Sequence, residues 1–147
     1  MTWPTRAPRK RKPAKARDTA GRILAPSEHL IQVRLLASLT ILAAPGVYWF
    51  AIPNAGKRSA NHAMKMKAEG LRAGVADLCI MLPGGRSAFL ELKKPGGRLS
   101  PEQKAFGETC KFLGHPWACA WSVTEALTYL RAWGALRENV TMQEAAE

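Results

Sequence analysis

Asp77 and Glu91 each stand within an apolar run, the first in Gly74-Val-Ala-Asp77-Leu-Cys-Ile, the second in Phe89-Leu-Glu91-Leu-Lys93. Both runs have strand character, and a carboxylate inside a strand is costly to bury without compensation. Whatever this chain folds into must supply the two acids with partners. A divalent cation, with a lysine beside it, is the simplest compensation. The spacing constrains topology as well. Pro83-Gly84-Gly85-Arg86 is a compact turn signal, so Val75 to Leu82 and Ser87 to Lys94 read as antiparallel neighbours. Counted outward from the glycine pair, Asp77 lies seven residues before the turn and Glu91 six after it, which brings both to one end of the hairpin. Period-two alternation puts Phe89, Glu91 and Lys93 on one face, with Leu90 and Leu92 on the other.

The remaining elements arrange themselves around this hairpin. Ser27 is an N-cap for a first helix whose apolar positions are Leu30, Ile31, Val33, Leu35, Leu36, Leu39, Leu42 and Ala43, ending by Pro45-Gly46. Val47 to Ile52 is β-branched and aromatic, and reads as the first strand. Residues 54–72 form a polar, cationic stretch with Lys57, Arg58, Lys65, Lys67 and Arg72 against Glu69, containing at most a short helix. After the hairpin, Ser100-Pro101 starts a second long helix with Leu99, Phe106, Cys110 and Leu113 as its apolar edge, stopping at Gly114-His115-Pro116. Trp117 to Trp121 suits a buried strand. Thr124 or Ser122 starts the last helix, with Ala126, Leu127, Leu130, Trp133 and Leu136 inward. The order is α-β-β-β-α-β-α, an α/β chain with a mixed β-sheet flanked by helices.

Charge and cysteine content bound the function. A chain of 147 residues with 47% hydrophobic residues holds one domain with a real core. The net charge is +11, and up to Arg22 eight Lys and Arg face only Asp18. Residues 1–25, rich in proline and charge, are expected to be a disordered basic arm, followed by one domain over 26–137 and a polar tail over 138–147. A basic arm on a mildly basic body suits a polyanion, with nucleic acid first, although such arms also serve as plain solvated tails. Cys79, Cys110 and Cys119 lie in apolar runs without Cys-x-x-Cys spacing, which fits reduced thiols in a cytoplasmic protein. No membrane span or secretion signal is expected.

Two carboxylates and an adjacent lysine are the parts a phosphodiester hydrolase needs. Asp77 and Glu91 offer hard oxygen ligands to Mg2+ or Mn2+, with the Leu92 carbonyl and water completing the shell. Lys93 can orient water or neutralise developing charge. Asn54, Lys57, Arg58, Arg72 and Lys94 are the cationic and polar candidates for substrate phosphates. Two residues carry open alternatives. Glu28 is explained equally by the favourable field of a helix N-terminus, and Gln103, three residues after Ser100, equally by a capping box.

Taken in order, Gly70-Leu-Arg-Ala-Gly74-Val-Ala-Asp77-Leu, Phe89-Leu-Glu91-Leu-Lys93 and Gly97-Arg98-Leu-Ser-Pro-Glu-Gln103 resemble the VRR-NUC family, a branch of the PD-(D/E)XK nucleases. The resemblance covers roughly residues 28–130 and implies a restriction-endonuclease-like fold. It implies Asp77 and Glu91 as metal ligands, Lys93 as the catalytic lysine, Gln103 as a helix-borne active-site amide, Glu28 as an outer acid, and residues 54–58 as a substrate-facing loop. Ala76 stands where the family usually has proline, a change that touches backbone shape but no ligand. Small stand-alone members resemble structure-selective DNA nucleases of bacteria and phages, some acting as homodimers on branched DNA such as Holliday junctions or flaps. The expected activity is Mg2+- or Mn2+-dependent DNA endonuclease; a non-catalytic basic nucleic-acid-binding module and an RNA-directed nuclease are the alternatives.

Overall fold

A computed structural model of the chain describes residues 24–53 and 60–138. Four helices and four strands alternate as α1 (Glu28–Leu42), β1 (Tyr48–Ala51), α2 (Ala60–Ala68), β2 (Leu78–Leu82), β3 (Arg86–Leu92), α3 (Pro101–Phe112), β4 (Trp117–Ala120) and α4 (Val123–Ala132). The strands form one sheet in the order β1-β2-β3-β4, antiparallel through the first three and parallel between β3 and β4. A parallel pair needs a crossover, and α3 supplies it. The α/β class and the mixed sheet flanked by helices are as expected, with α2 the short helix inside the cationic stretch.

The β2–β3 hairpin is set by Gly84 and Gly85, which turn with φ of +81° and +75°. Side chains with a Cβ rarely adopt two successive positive φ values, so this glycine pair fixes the register Leu82↔Arg86 through Leu78↔Leu90. Alternation then sorts the sheet into two faces. Leu78, Ile80, Leu82, Ala88, Leu90, Leu92, Ala118 and Ala120 point to one side, where Ile31, Leu35, Leu39 and Leu42 of α1 and Leu127 and Leu130 of α4 close the main core. On the opposite face α3 packs over β3 and β4: the Phe106 ring meets Phe89 edge-on at 5.3 Å, and Gly107 lies flat against the Trp117 indole.

The element ends differ from the sequence reading in ways that matter for the site. β2 begins at Leu78, so Asp77 stands one residue ahead of the strand rather than inside it, although Ile52 N–H still donates to its carbonyl at 2.8 Å. β3 ends at Leu92, leaving Lys93 just beyond, its N–H bonded to Ala120 O at 2.9 Å. Both functional side chains thus sit where the sheet is ending and side chains gain room. Ser122, not Thr124, caps α4, accepting from Glu125 N–H. Leu30 and Val33 of α1 and Leu113 after α3 are exposed, because each helix has only one neighbour-facing side and these positions lie off it. The expected arm and tail fall outside the described residues, as do Asn54, Lys57 and Arg58.

Candidate active site

The hairpin places the two acids as the glycine count required. Leu78 pairs with Leu90, so the next step along the ladder sets Asp77 beside Glu91. Asp77 is anchored across the hairpin by its own carboxylate, whose Oδ2 accepts Leu92 N–H at 2.8 Å. This bond uses the strand-end amide that a regular ladder would have given to a carbonyl. Leu92 therefore enters the site through its amide contact with Asp77.

Glu91 is the most enclosed charged group of the described residues, with 1% of its surface exposed. Its Oε1 accepts Lys93 Nζ at 2.6 Å and Gln103 Nε2. Its Oε2 is equally buried and receives no donor among the described residues. A charged oxygen held so is expensive, and the carboxyl pKa is pushed up to about 7. Burial is the main cause; the Lys93 bond opposes it, and the negative charges of Asp77 and Glu28 add to it. Burial alone would lower the Lys93 pKa, but the bond to Glu91 and the surrounding acids reverse this and hold it above the ordinary lysine value. Lys93 is accordingly a fixed cation and donor.

Gln103 forms the capping box and also reaches Glu91. Its Oε1 accepts Ser100 N–H at 2.9 Å and its own N–H donates to Ser100 Oγ at 3.2 Å, a complete capping box at the start of α3. Its Nε2 is thereby turned toward Glu91. Only this orientation of the amide serves both neighbours, since an N–H needs an acceptor and a carboxylate a donor.

Glu28, Arg72, Asp77, Glu91, Lys93 and Gln103 all line one cleft of about 400 Å3. Glu28 is exposed at its edge and accepts Lys94 N–H at 3.3 Å, so Lys94 contributes a backbone donor here while its side chain lies outside the lining. Three lining features go beyond the sequence reading. Lys67, read there only as one cation of the 54–72 stretch, faces the cleft together with Ala63, one turn earlier on α2. Glu102 lines the cleft beside Gln103. Gly74, at φ +81°, lies so close to the start of α3 that a Cβ would overlap the Glu102 carbonyl and the Gln103 amide. A fourth feature lies just behind: Trp121 Nε1–H donates to Gly97 O at 2.8 Å, and a Cβ added at Gly97 would come within 3.2 Å of the Lys93 Cβ. The turn after β3 thus runs close to the stem of Lys93.

The donor set fits a divalent cation. Two carboxylates at a strand end, one with a buried oxygen lacking a donor, supply hard ligands and a reason for a positive charge there. Among the described residues no group of three or more His, Cys, Asp or Glu could hold a metal alone.

An acid ahead of one strand, an acid-x-lysine at the end of the next and an amide from the following helix all converge on one cleft. The family model for the VRR-NUC domain matches residues 27–122, and the chain belongs to that nuclease-like family. Among solved structures, one described as "VRR_NUC domain protein" superposes with a TM-score of 0.64 at 19% identity, over 78% of this chain and 98% of that one, and shares the fold. A comparison with curated proteins finds no match. No helix among the described residues is long and apolar enough to cross a membrane.

Proposed function

We propose that the chain is a Mg2+- or Mn2+-dependent DNA endonuclease that hydrolyses phosphodiester bonds. The observation that supports this most is the state of Glu91: a buried carboxylate with Lys93 and Gln103 sharing one oxygen and nothing on the other, facing a cleft also lined by Asp77. Asp77 and Glu91, with the Leu92 carbonyl, would hold the cation, which when bound lowers the pKa of water and stabilises charge on a phosphate. Lys93 donates toward the scissile phosphate or the attacking water from a position set by Glu91 and by the Gly97 turn. Gln103 holds Glu91 in one rotamer. Arg72 and Lys67 on the cleft wall are placed to neutralise flanking phosphates. Glu28, on the rim, fixes the Lys94 amide and adds negative charge that favours cation binding.

The finer parts of this reading are a preference for branched or flapped DNA and a homodimeric form, both drawn from the resemblance to small stand-alone relatives. The test is cleavage of labelled duplex, flap, four-way and single-stranded DNA, and matching RNA, with Mg2+, Mn2+ or EDTA. Lys93→Ala or Glu91→Ala is expected to lower cleavage by at least about a hundredfold while DNA binding and folding persist. Lys93→Ala protein cutting at the wild-type rate would sink the mechanism. Binding without cleavage under every metal condition would instead make the chain a basic nucleic-acid-binding module.

A further inference from the structure

The sheet face that carries Glu91 is only half covered. α3 lies over β3 and β4, whereas on β1 and β2 the same face presents Tyr48 at 65% exposure, Phe50 at 43% and Met81 at 48%. The pairing shows they share that face: Trp49 and Ile80, partners in the ladder, point into the main core, so Tyr48, Phe50, Cys79 and Met81 point away from it. The Tyr48 and Phe50 rings sit 6.4 Å apart, side by side along one strand. Phe50 stands in one row with Cys79 and Phe89, and Glu91 is two residues further along β3. Strand spacing puts that separation at about 12 Å.

We infer that Tyr48 and Phe50 form a stacking platform for unpaired bases of a DNA strand whose backbone continues into the cleft. This rests on the nuclease reading of the cleft. Two exposed aromatic rings at alternate positions of a strand offer flat faces that any base can stack on. The platform itself carries no charge, and in the cleft beyond, Lys67, Arg72 and Lys93 are the cations that a backbone would meet beside the acids Glu28, Asp77, Glu91 and Glu102, in a chain of net charge +11. The patch is too small for a second copy of the chain: side chains of roughly 200 Å2 each, half exposed, give about 300 Å2. A stable dimer needs about 800 Å2 from each partner.

The test measures binding of full-length protein to fluorescein-labelled oligo(dT) and to a blunt duplex of equal length, by anisotropy in EDTA. The Tyr48→Ala/Phe50→Ala double variant should bind oligo(dT) at least about tenfold more weakly, with duplex affinity and its salt dependence unchanged. Tyr48→Phe should restore stacking in the otherwise wild-type background to the wild-type level. Equal oligo(dT) affinity in wild type and double variant overturns the platform, as does failure of the wild type to bind oligo(dT). A change from dimer to monomer by sedimentation in the double variant also overturns it and assigns the face to a second copy. Because binding is read without divalent ions, a chain that binds oligo(dT) through these rings yet never cleaves refutes the nuclease reading alone.

Discussion

Glu91→Gln offers a direct measure of the strain at the centre of the cleft. The Glu91 carboxyl titrates at about 7 in the folded chain, against an ordinary value of 4.5. Between those pH values the folded state holds a proton that the unfolded state has lost, so unfolding releases it and the free energy of unfolding falls as pH rises. The contribution is fully present below about pH 4.5 and gone above about pH 7. At 1.36 kcal/mol per unit, the raised pKa corresponds to about 3 kcal/mol of lost stability at neutral and higher pH. For a chain of this length that is about 6–12 °C in melting temperature. Gln at position 91 keeps the shape and the hydrogen-bonding reach but cannot ionise. Urea unfolding followed by far-UV circular dichroism in EDTA, from pH 4.5 to 8.5, should show the stability of wild type relative to Glu91→Gln declining by about 3 kcal/mol across the range. Titrating groups not coupled to Glu91 cancel in that difference. Mg2+ at about a hundred times its dissociation constant should return about 2.7 kcal/mol to the wild type at pH 8 and nothing to the variant. A difference that stays flat with pH would refute the burial of Glu91 and the reasoning built on it.

Three further substitutions separate the roles of the cleft wall. Gln103→Ala removes half of the capping box and one donor to Glu91; it should cost about 1 kcal/mol in urea unfolding and lower cleavage more than tenfold, whereas Ser100→Ala, which removes the other half of the cap but no donor to Glu91, should match the stability loss with a smaller effect on cleavage. Gly74→Ala combines a positive φ with overlap onto the Glu102–Gln103 backbone, so it should destabilise by about 2 kcal/mol or more, read as a lowered urea midpoint at unchanged m-value.

The parts of this molecule legible in its sequence are those fixed by local rules. Gly84-Gly85 dictated the hairpin, and counting from it placed Asp77 and Glu91 together, because a two-residue period leaves no freedom once the turn is set. Ser27 and Ser100 announced helix starts, and both cap as expected. What could not be read depends on contacts between distant residues. Nothing within reach of Trp121 in the sequence marks Gly97 as its acceptor, twenty-four positions away. The bond from Leu92 to Asp77 ends a strand early, and strand propensity carries no term for it. The outward placement of Leu30 and Val33 depends on which side of α1 the sheet occupies, and a helix apolar on every side does not declare that. For Gln103 the sequence marked the cap, and only the folded chain shows the same amide reaching Glu91.

That shared use of Gln103 has a dynamic consequence. The first turn of a helix is where fraying begins, and here the side chain that closes the first turn of α3 is the one that steadies Glu91. Opening that turn by one residue removes one of the two donors to Glu91 at the same moment, leaving Lys93 to hold it. Under the proposed function, hydrogen exchange at the Gln103 amide and the metal affinity of the cleft should therefore move together, so that the tip of α3 would act as a latch on the carboxylate. Sequence drift at Ser100 or in the Pro95–Arg98 turn would be felt at a carboxylate it never touches, tying the evolution of a surface loop to that of the buried site.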